Sequence, residues 1–486
     1  MTSSLLTEDL CRFAAGIRFA DLPDAAIGRA EAAIADTIGC IIGGIGASSV
    51  RPVLELALDD GGSEQSTILG TRHRLPATAA ALVNGMAGHA LDFDDISGEM
   101  YGHPSVVLVP SLFAVGERIA ARGDAVIAAY VAGFEVAAAI GRQVNPAHYD
   151  QGWHATSTIG SLAAAAAVSR LLDLPAGQIQ HALGIAASQA AGMHRQFGTD
   201  VKPMHAGLAA RAGVHAAMLA ARGMTGARAV LDGKGGFADV YGGGSAVMAP
   251  AAAPAALASA GARVDDLALI RSGIQVKRHS CCAATHTSID AMLELVDVHG
   301  IVGGEIESVE CRVNAVAGNV LKYPVAHTPG EAKFSLPFCV AVAALHGDCG
   351  IARFTQATVD DGRVRDLASR IALVVDPAMP AVGTTASRTS IRMRDGRVLA
   401  AEVATPKGSP QRPLAVDELR RKFVECAGAR LQPSHAVALF DRLLALRDAP
   451  DVREIALETC PRSSERGTSR RPPSSHDPLQ AERHGS

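Results

Sequence analysis

Aromatic side chains are scarce in this chain, at 4% of 486 residues with a single Trp. Large all-β proteins cover their pleated faces with Tyr, Phe, Trp and Thr, so that architecture is excluded. A basic excess is also lacking, since 45 Lys+Arg stand against 49 Asp+Glu. With no basic stripe to follow a phosphate backbone, nucleic-acid binding drops out. No long unbroken apolar run is present either. The longest small-apolar stretch, Ser245–Gly261, is interrupted by Pro250 and Pro254 and reads as a linker rather than a membrane span. Met1–Pro23 carries Glu8 and Asp9 where an export signal is basic, and no apolar core follows. The nine cysteines form no C-x-x-C pair and no even framework, the pattern of reduced thiols in a cytoplasmic protein.

What is present is small and aliphatic. Hydrophobic residues reach 48%, mostly Ala, Val, Leu and Ile, which suit closely packed helices. The length exceeds what one hydrophobic core supports, so two domains are expected. From Leu5 to Gly244 the pattern is helical. Ile27, Ile34, Ile38 and Ile41 recur at spacings of seven, four and three, and Ser161–Leu172 and Gly207–Arg222 are strong helix formers. Beyond residue 270 the period changes. Ile306–Val316 alternates as a half-buried strand does, Ala372–Val375 is a second strand candidate, and Ser390–Met393 and Val398–Val403 flank the hairpin signal Asp395-Gly396. Helices Ala284–Val298 and Phe334–Leu345 are interleaved. The expected fold is therefore mainly α: an all-helical domain over 1–270 and 406–460, closed by helices at Val416–Ala427 and His435–Leu446, and a smaller α+β domain over 271–405. The polar tail, 461–486, is expected to be disordered.

Several familiar signatures fail. The glycine-rich Asp232–Ser245 matches no phosphate-binding loop, and neither a nucleophile elbow nor H-E-x-x-H occurs. Vicinal Cys281-Cys282, with His279 and His286 nearby, match no zinc spacing. No metal and no cofactor are expected.

The densest polar cluster is His89-Ala-Leu-Asp92-Phe-Asp94-Asp95, followed by Ser97, Glu99 and His103. Three carboxylates within four positions repel one another unless cations sit close, and the apolar flanks Ala79–Val83 and Val106–Phe113 place them in a lined cleft rather than on a solvated helix end. His154 follows the only Trp and opens a helix, where the macrodipole keeps an imidazole neutral; a packed Trp with a hydrogen-bonded His accounts for the same pattern. Lys202 and His205 lie just ahead of Gly207–Arg222 and would hold a carboxylate at a helix entrance, unless Lys202 is an ordinary surface lysine. Lys277 and Arg278 form a second cationic group beside Cys282, and Tyr323 lies in a polar loop. Cations to neutralise carboxylates, with an acid and a base of differing proton affinity, are what proton abstraction next to a carboxylate requires. An all-α magnesium enzyme for prenyl diphosphates would need D-D-x-x-D or a second acidic helix, and Asp94-Asp95-Ile-Ser-Gly provides neither.

At these residues the sequence resembles the MmgE/PrpD family. The likeness is carried by AxHALDFDD (87–95), GHPS (102–105), GWHATST (152–158), GTDVKPMHAGLAARAG (198–213), KRHSCCAATH (277–286) and EAKFSLPF (331–338). The resemblance implies a large helical domain with a smaller α+β lid domain, a homodimer, and a cofactor-independent enzyme acting on a small di- or tricarboxylate. Dehydration of the 2-methylcitrate type comes first, with epimerisation of the iminodisuccinate type or decarboxylation of the cis-aconitate type behind it; a non-catalytic carboxylate-binding protein is the alternative of another class. It also implies a cleft lined by Asp92, His103, His154, Lys202, Lys277 and Tyr323, with Asp92 and His103 handling protons and the two lysines holding carboxylates. Cys282 stands where some decarboxylases of the family place a histidine, and Glu99 adds an acidic group that would favour a less highly charged or an amine-bearing substrate.

Overall fold

The computed structural model describes residues 5–244, 266–379 and 386–461. The expected linker and the tail beyond 461 lie outside them.

The four isoleucines spaced seven, four and three apart are buried on one face of a 21-residue helix, α2 (Asp24–Gly44). It is one of a series of longer helices: α1 (Leu6–Gly16), α2, α3 (Arg51–Asp60), α4 (Ala77–Ala90), α5 (Ser105–Ile119), α6 (Gly123–Val144), α7 (Ala155–Leu171), α8 (Ala176–Ala187) and α9 (Val201–Ala220). Prolines set several of the starts, Pro76 before α4, Pro104 before α5 and Pro175 before α8. The central helices α4, α5, α7 and α9 are buried almost all round, which the Ala- and Gly-rich sequences of α4, α7 and α9 and the Val- and Leu-rich sequence of α5 permit. Where α4 crosses α9 the backbones touch: a Cβ on Gly207 would lie 2.2 Å from the Leu82 carbonyl oxygen. Only glycine allows that approach, and it brings the end of α4 beside the start of α9.

One correction bears on the site. The helix expected from Gly207 begins six residues earlier, at Val201, so Lys202 and His205 lie in its first turns rather than ahead of it. Helix α6 alone, among the described residues, is long and apolar enough to cross a membrane; it packs inside the helical core against α7.

A second core lies over Cys281–Met393. Its four-stranded sheet has the order β4–β3–β5–β6, with β3 (Ile306–Val313) parallel to β4 (Ile371–Val375) and antiparallel to β5 (Ser387–Met393), which pairs with β6 (Val398–Val403); β1 (Ser66–Thr67) and β2 (Arg74–Leu75) form a separate ribbon. Helices α10 (His286–His299) and α11 (Leu336–His346) pack on the sheet. The strand expected to reach Val316 stops at Val313, because the Asn314 side chain accepts from the Ala317 N–H and caps a short helix. Ser335 caps α11 in the same way at Phe338. Helices α12 (Val416–Ala427) and α13 (Pro433–Leu444) return to the helical core, where Leu419, Phe423, Leu439 and Phe440 are buried. The glycine-rich segment anchors the chain's first helix, for the Asp232 carboxylate accepts from the Leu6 and Thr7 backbone N–H groups at the free end of α1.

Candidate active site

Helix α4 ends at Ala90, and two residues later Asp92 adopts a left-handed backbone, φ 52°. Few non-glycine residues do so, and the conformation costs energy that neighbouring contacts must supply. Here they are two ammonium groups. Lys202 Nζ, from α9, donates to Asp92 Oδ1 at 2.5 Å; Lys277 Nζ, from the segment leading into the smaller core, donates to the same oxygen at 3.0 Å and to the Asp92 carbonyl at 2.9 Å. All three residues are buried, and Asp92 Oδ2 has no hydrogen-bond partner among the described residues. Burial alone would raise the Asp92 carboxyl, but Lys202 and Lys277 outweigh it and hold the group well below the usual carboxylate range. Lys277 is lowered by burial and raised more strongly by Asp92 and Asp94, so its net shift is upward.

The structure does not pair His103 with Asp92. His103 Nδ1 lies 2.8 Å from the Asp95 carbonyl and 3.1 Å from Asp94 Oδ2. Asp94 also accepts from His89 Nδ1, 2.9 Å from each of its oxygens. Against burial, His89 and His103 together keep Asp94 well below the usual carboxylate range. The His89 and His103 ring centroids are 4.5 Å apart, and His154 stands 6.1 and 6.4 Å from them. His154 is the N-cap residue of α7, and its Nδ1 lies 3.0 Å from His205 Nδ1. Burial, then His205 and Lys202, push His154 well below 6.5; burial and Lys202 bring His205 to about 4. These imidazoles are neutral at pH 7.

Cys282 and Tyr323 border an apolar wall of Phe197, Val320 and Phe334, with Lys202 Nζ 5.6 Å from the Phe197 ring centroid and 5.3 Å from that of Phe334. Burial, with Asp92 nearby, raises the Cys282 thiol to about 12, so it is protonated. The Tyr323 hydroxyl donates to the Phe197 carbonyl at 3.1 Å, and Gly198 faces that ring closely enough to exclude a Cβ.

Two expected participants face elsewhere. Glu99 is bound by Arg142, Arg271 and Ser272. Arg278 pairs with Asp290 at 3.4 Å and is half exposed. Three residues acquire an importance that sequence alone did not give them. His89 and Asp94 stood inside the polar cluster, unmarked because helix phase decides which of its members face one another. Lys333, inside EAKFSLPF, donates to the Ala90 carbonyl at 2.8 Å; burial, with Lys202 and Lys277 nearby, lowers it to about 8 against the pull of Asp92.

His89, His103 and His154 each bring one ring nitrogen within 4.8 Å of the others, as do the sulfurs of Cys281, Cys339 and Cys349 in the smaller core. The adjacent ammonium groups of Lys202 and Lys277 make the histidine cluster a poor place for a cation. Paired buried ammonium groups beside neutral imidazoles suit a small polyanion whose protons are moved.

Comparison with known proteins agrees on the class. Profiles of the MmgE/PrpD N-terminal and C-terminal domains match residues 8–249 and 279–446. The chain belongs to the MmgE/PrpD family. It is similar to the cis-aconitate decarboxylases of Homo sapiens (28% identity over 458 residues, 92% of either chain) and Mus musculus (28% over 460 residues, 92% of this chain and 91% of the other). That of Aspergillus terreus is 25% identical over 481 residues, 94% of this chain and 96% of the fungal one.

Proposed function

We propose that this protein is a cofactor-independent lyase for a small di- or tricarboxylate, working through a carbanion next to a carboxylate, and that decarboxylation of a cis-aconitate-like acid is its reaction. The observation that carries the reading is Asp92, held anionic between two buried ammonium groups beside unprotonated imidazoles. Substrate carboxylates approach Lys202 and Lys277, where each ammonium keeps hydrogen-bonding capacity beyond Asp92. As carbon dioxide leaves, the electrons of the broken carbon–carbon bond pass into the adjacent unsaturated carboxylate as an enediolate. The two lysines neutralise it, and an imidazole that takes up a proton as the anionic substrate offsets the lysines delivers that proton to carbon. The decarboxylase relatives, alignable over nearly the whole chain, favour this outcome.

Dehydration of the 2-methylcitrate type is the second reading, favoured by Cys282: a protonated thiol stands where some decarboxylases place a histidine. The homodimer and the cytoplasmic location belong to the same proposal; sedimentation and fractionation test them.

The test is incubation with a panel of small polycarboxylates in deuterated water, followed by NMR. Carbon dioxide release with one deuteron fixed on carbon supports the first reading, loss of water the second, and exchange without net reaction an epimerase. No exchange and no turnover with any acid overturns the proposal.

A further inference from the structure

The two nitrogens of His89 are unequal. Nδ1 faces both oxygens of Asp94, a group that is a carboxylate here and only accepts, so Nδ1 carries the ring proton. Nε2 therefore presents a lone pair, and it is buried with no hydrogen-bond partner among the described residues. An acceptor left bare in the interior costs desolvation energy, and native proteins rarely keep one without use. The tautomer of His103 is set in the same way: its Nδ1 faces the Asp95 carbonyl and Asp94, both acceptors, so its Nε2 also presents a lone pair. One carboxylate thus orients two imidazoles whose rings lie 4.5 Å apart, next to the site of the two lysines.

We propose that His89 is a second proton-handling residue of this site, coupled to His103 through the carboxylate they share, so that the pair holds one transferable proton between them. The inference rests on the lyase reading for its chemistry. In a lyase cycle one ring enters as imidazolium, Nε2–H, and gives that proton to the enediolate carbon. The carbon's electron pair forms the new C–H bond, and the ring returns to the neutral form with Nδ1–H still on Asp94. Solvent or the next substrate restores the proton. Asp94 stabilises one imidazolium, and a second cation beside it would meet repulsion from the first. The charged and titratable groups facing His89 are Asp94 and Asp92 in favour of protonation and Lys202, His103 and His154 against it, with burial opposing the charge most. A bound polycarboxylate offsets the lysines, so binding and proton uptake are coupled.

The experiment uses the full-length protein and three readouts. Nitrogen-15 NMR of histidine-labelled wild type, with citrate as the probe, should show the His89 ring with bare Nε2 when free and an imidazolium signal when citrate binds near pH 6.5. His89→Asn keeps an amide N–H for Asp94; it should bind citrate within about threefold of wild type, while turnover of the acid identified in the panel falls about 100-fold or more. The acid limb of its kcat/KM profile should lose one ionisation, which a merely structural role would leave in place. Turnover within threefold and an unchanged profile overturn the proposal, as does a His89 ring that keeps its neutral signals at saturating citrate. If His89→Asn fails to fold, the wild-type nitrogen signals decide alone. A wild type that turns over no acid overturns the lyase reading separately and leaves the same signals to decide on His89.

Discussion

Asp92 Oδ1 and Lys202 Nζ are 2.5 Å apart across 110 residues of sequence, and both groups are buried. Removing one partner of such a pair strands the other's charge in the interior. Asp92→Asn leaves both Lys202 and Lys277 without their carboxylate, and it should destabilise the fold by about 3–5 kcal/mol in urea unfolding while abolishing turnover. Citrate supplies replacement carboxylates, so it should raise the unfolding midpoint of Asp92→Asn more than that of wild type. Equal stabilisation of the two proteins would show that the lysines do not receive substrate anions.

Glu99 makes the opposite case. Arg142, Arg271 and Ser272 hold its carboxylate. Glu99→Gln should change kcat/KM by less than about twofold, under ~0.5 kcal/mol of transition-state stabilisation. Steady-state kinetics on the acid identified in the panel checks this, and a tenfold loss would return Glu99 to the site.

That contrast marks how far the sequence could be read. Helical stripes, the Asp395-Gly396 hairpin and the run from His89 to His103 are local patterns, visible within about a dozen positions. Asp92 stood out as part of that polar run and Lys277 as charge in an apolar stretch, whereas Lys202, readable as a surface lysine, was marked by its place in the motif GTDVKPMHAG. Pairing inside the cluster is not local. A left-handed turn at Asp92 sends its side chain to the lysines and gives both histidines to Asp94. The partners of Glu99 lie 43, 172 and 173 positions away. Lys333 reaches the end of α4 only because the smaller core folds against the larger one.

Acid should unfold this protein from an unusually high pH. His89, His103, His154 and His205 have folded-state proton affinities below the ordinary 6.5, with His89 near 3 and His205 near 4, burial being the main cause for each. For a base depressed by folding, the stability is fully present above the unfolded value and drains as pH falls below it, because the unfolded chain binds protons that the folded one refuses. Each such imidazole contributes a slope of about 1.4 kcal/mol per pH unit in that window. The depressed carboxylates Asp92 and Asp94 act only below their ordinary 3.8, so loss beginning near pH 6 is not theirs. Urea unfolding at about pH 7, 6 and 5 measures the slope, and His205→Asn should reduce it by one proton. Buried Asp95, raised to about 8, and Glu135, raised to about 7, take up protons on folding and offset part of this slope, so the decisive comparison is the variant: a His205→Asn slope equal to that of wild type would contradict a neutral buried imidazole there.

Lys333 sets an alkaline limit on substrate capture. Its ammonium, brought to about 8 by burial and the neighbouring Lys202 and Lys277, loses its charge in the free protein at a pH where ordinary lysines keep theirs. A polycarboxylate bound beside it favours the charged form, so the contribution of Lys333 to affinity should be full below pH 8 and be lost above it, with one proton taken up by this group on binding near the midpoint. Calorimetric titration of citrate in two buffers of different ionisation enthalpy reads both the affinity and the proton count. Lys333→Arg retains charge at every accessible pH and should remove the alkaline fall. Lys333→Met should weaken binding at pH 7 to the level that wild type shows at pH 9. If Lys333→Arg loses affinity above pH 8 just as wild type does, the ionisation belongs to another group.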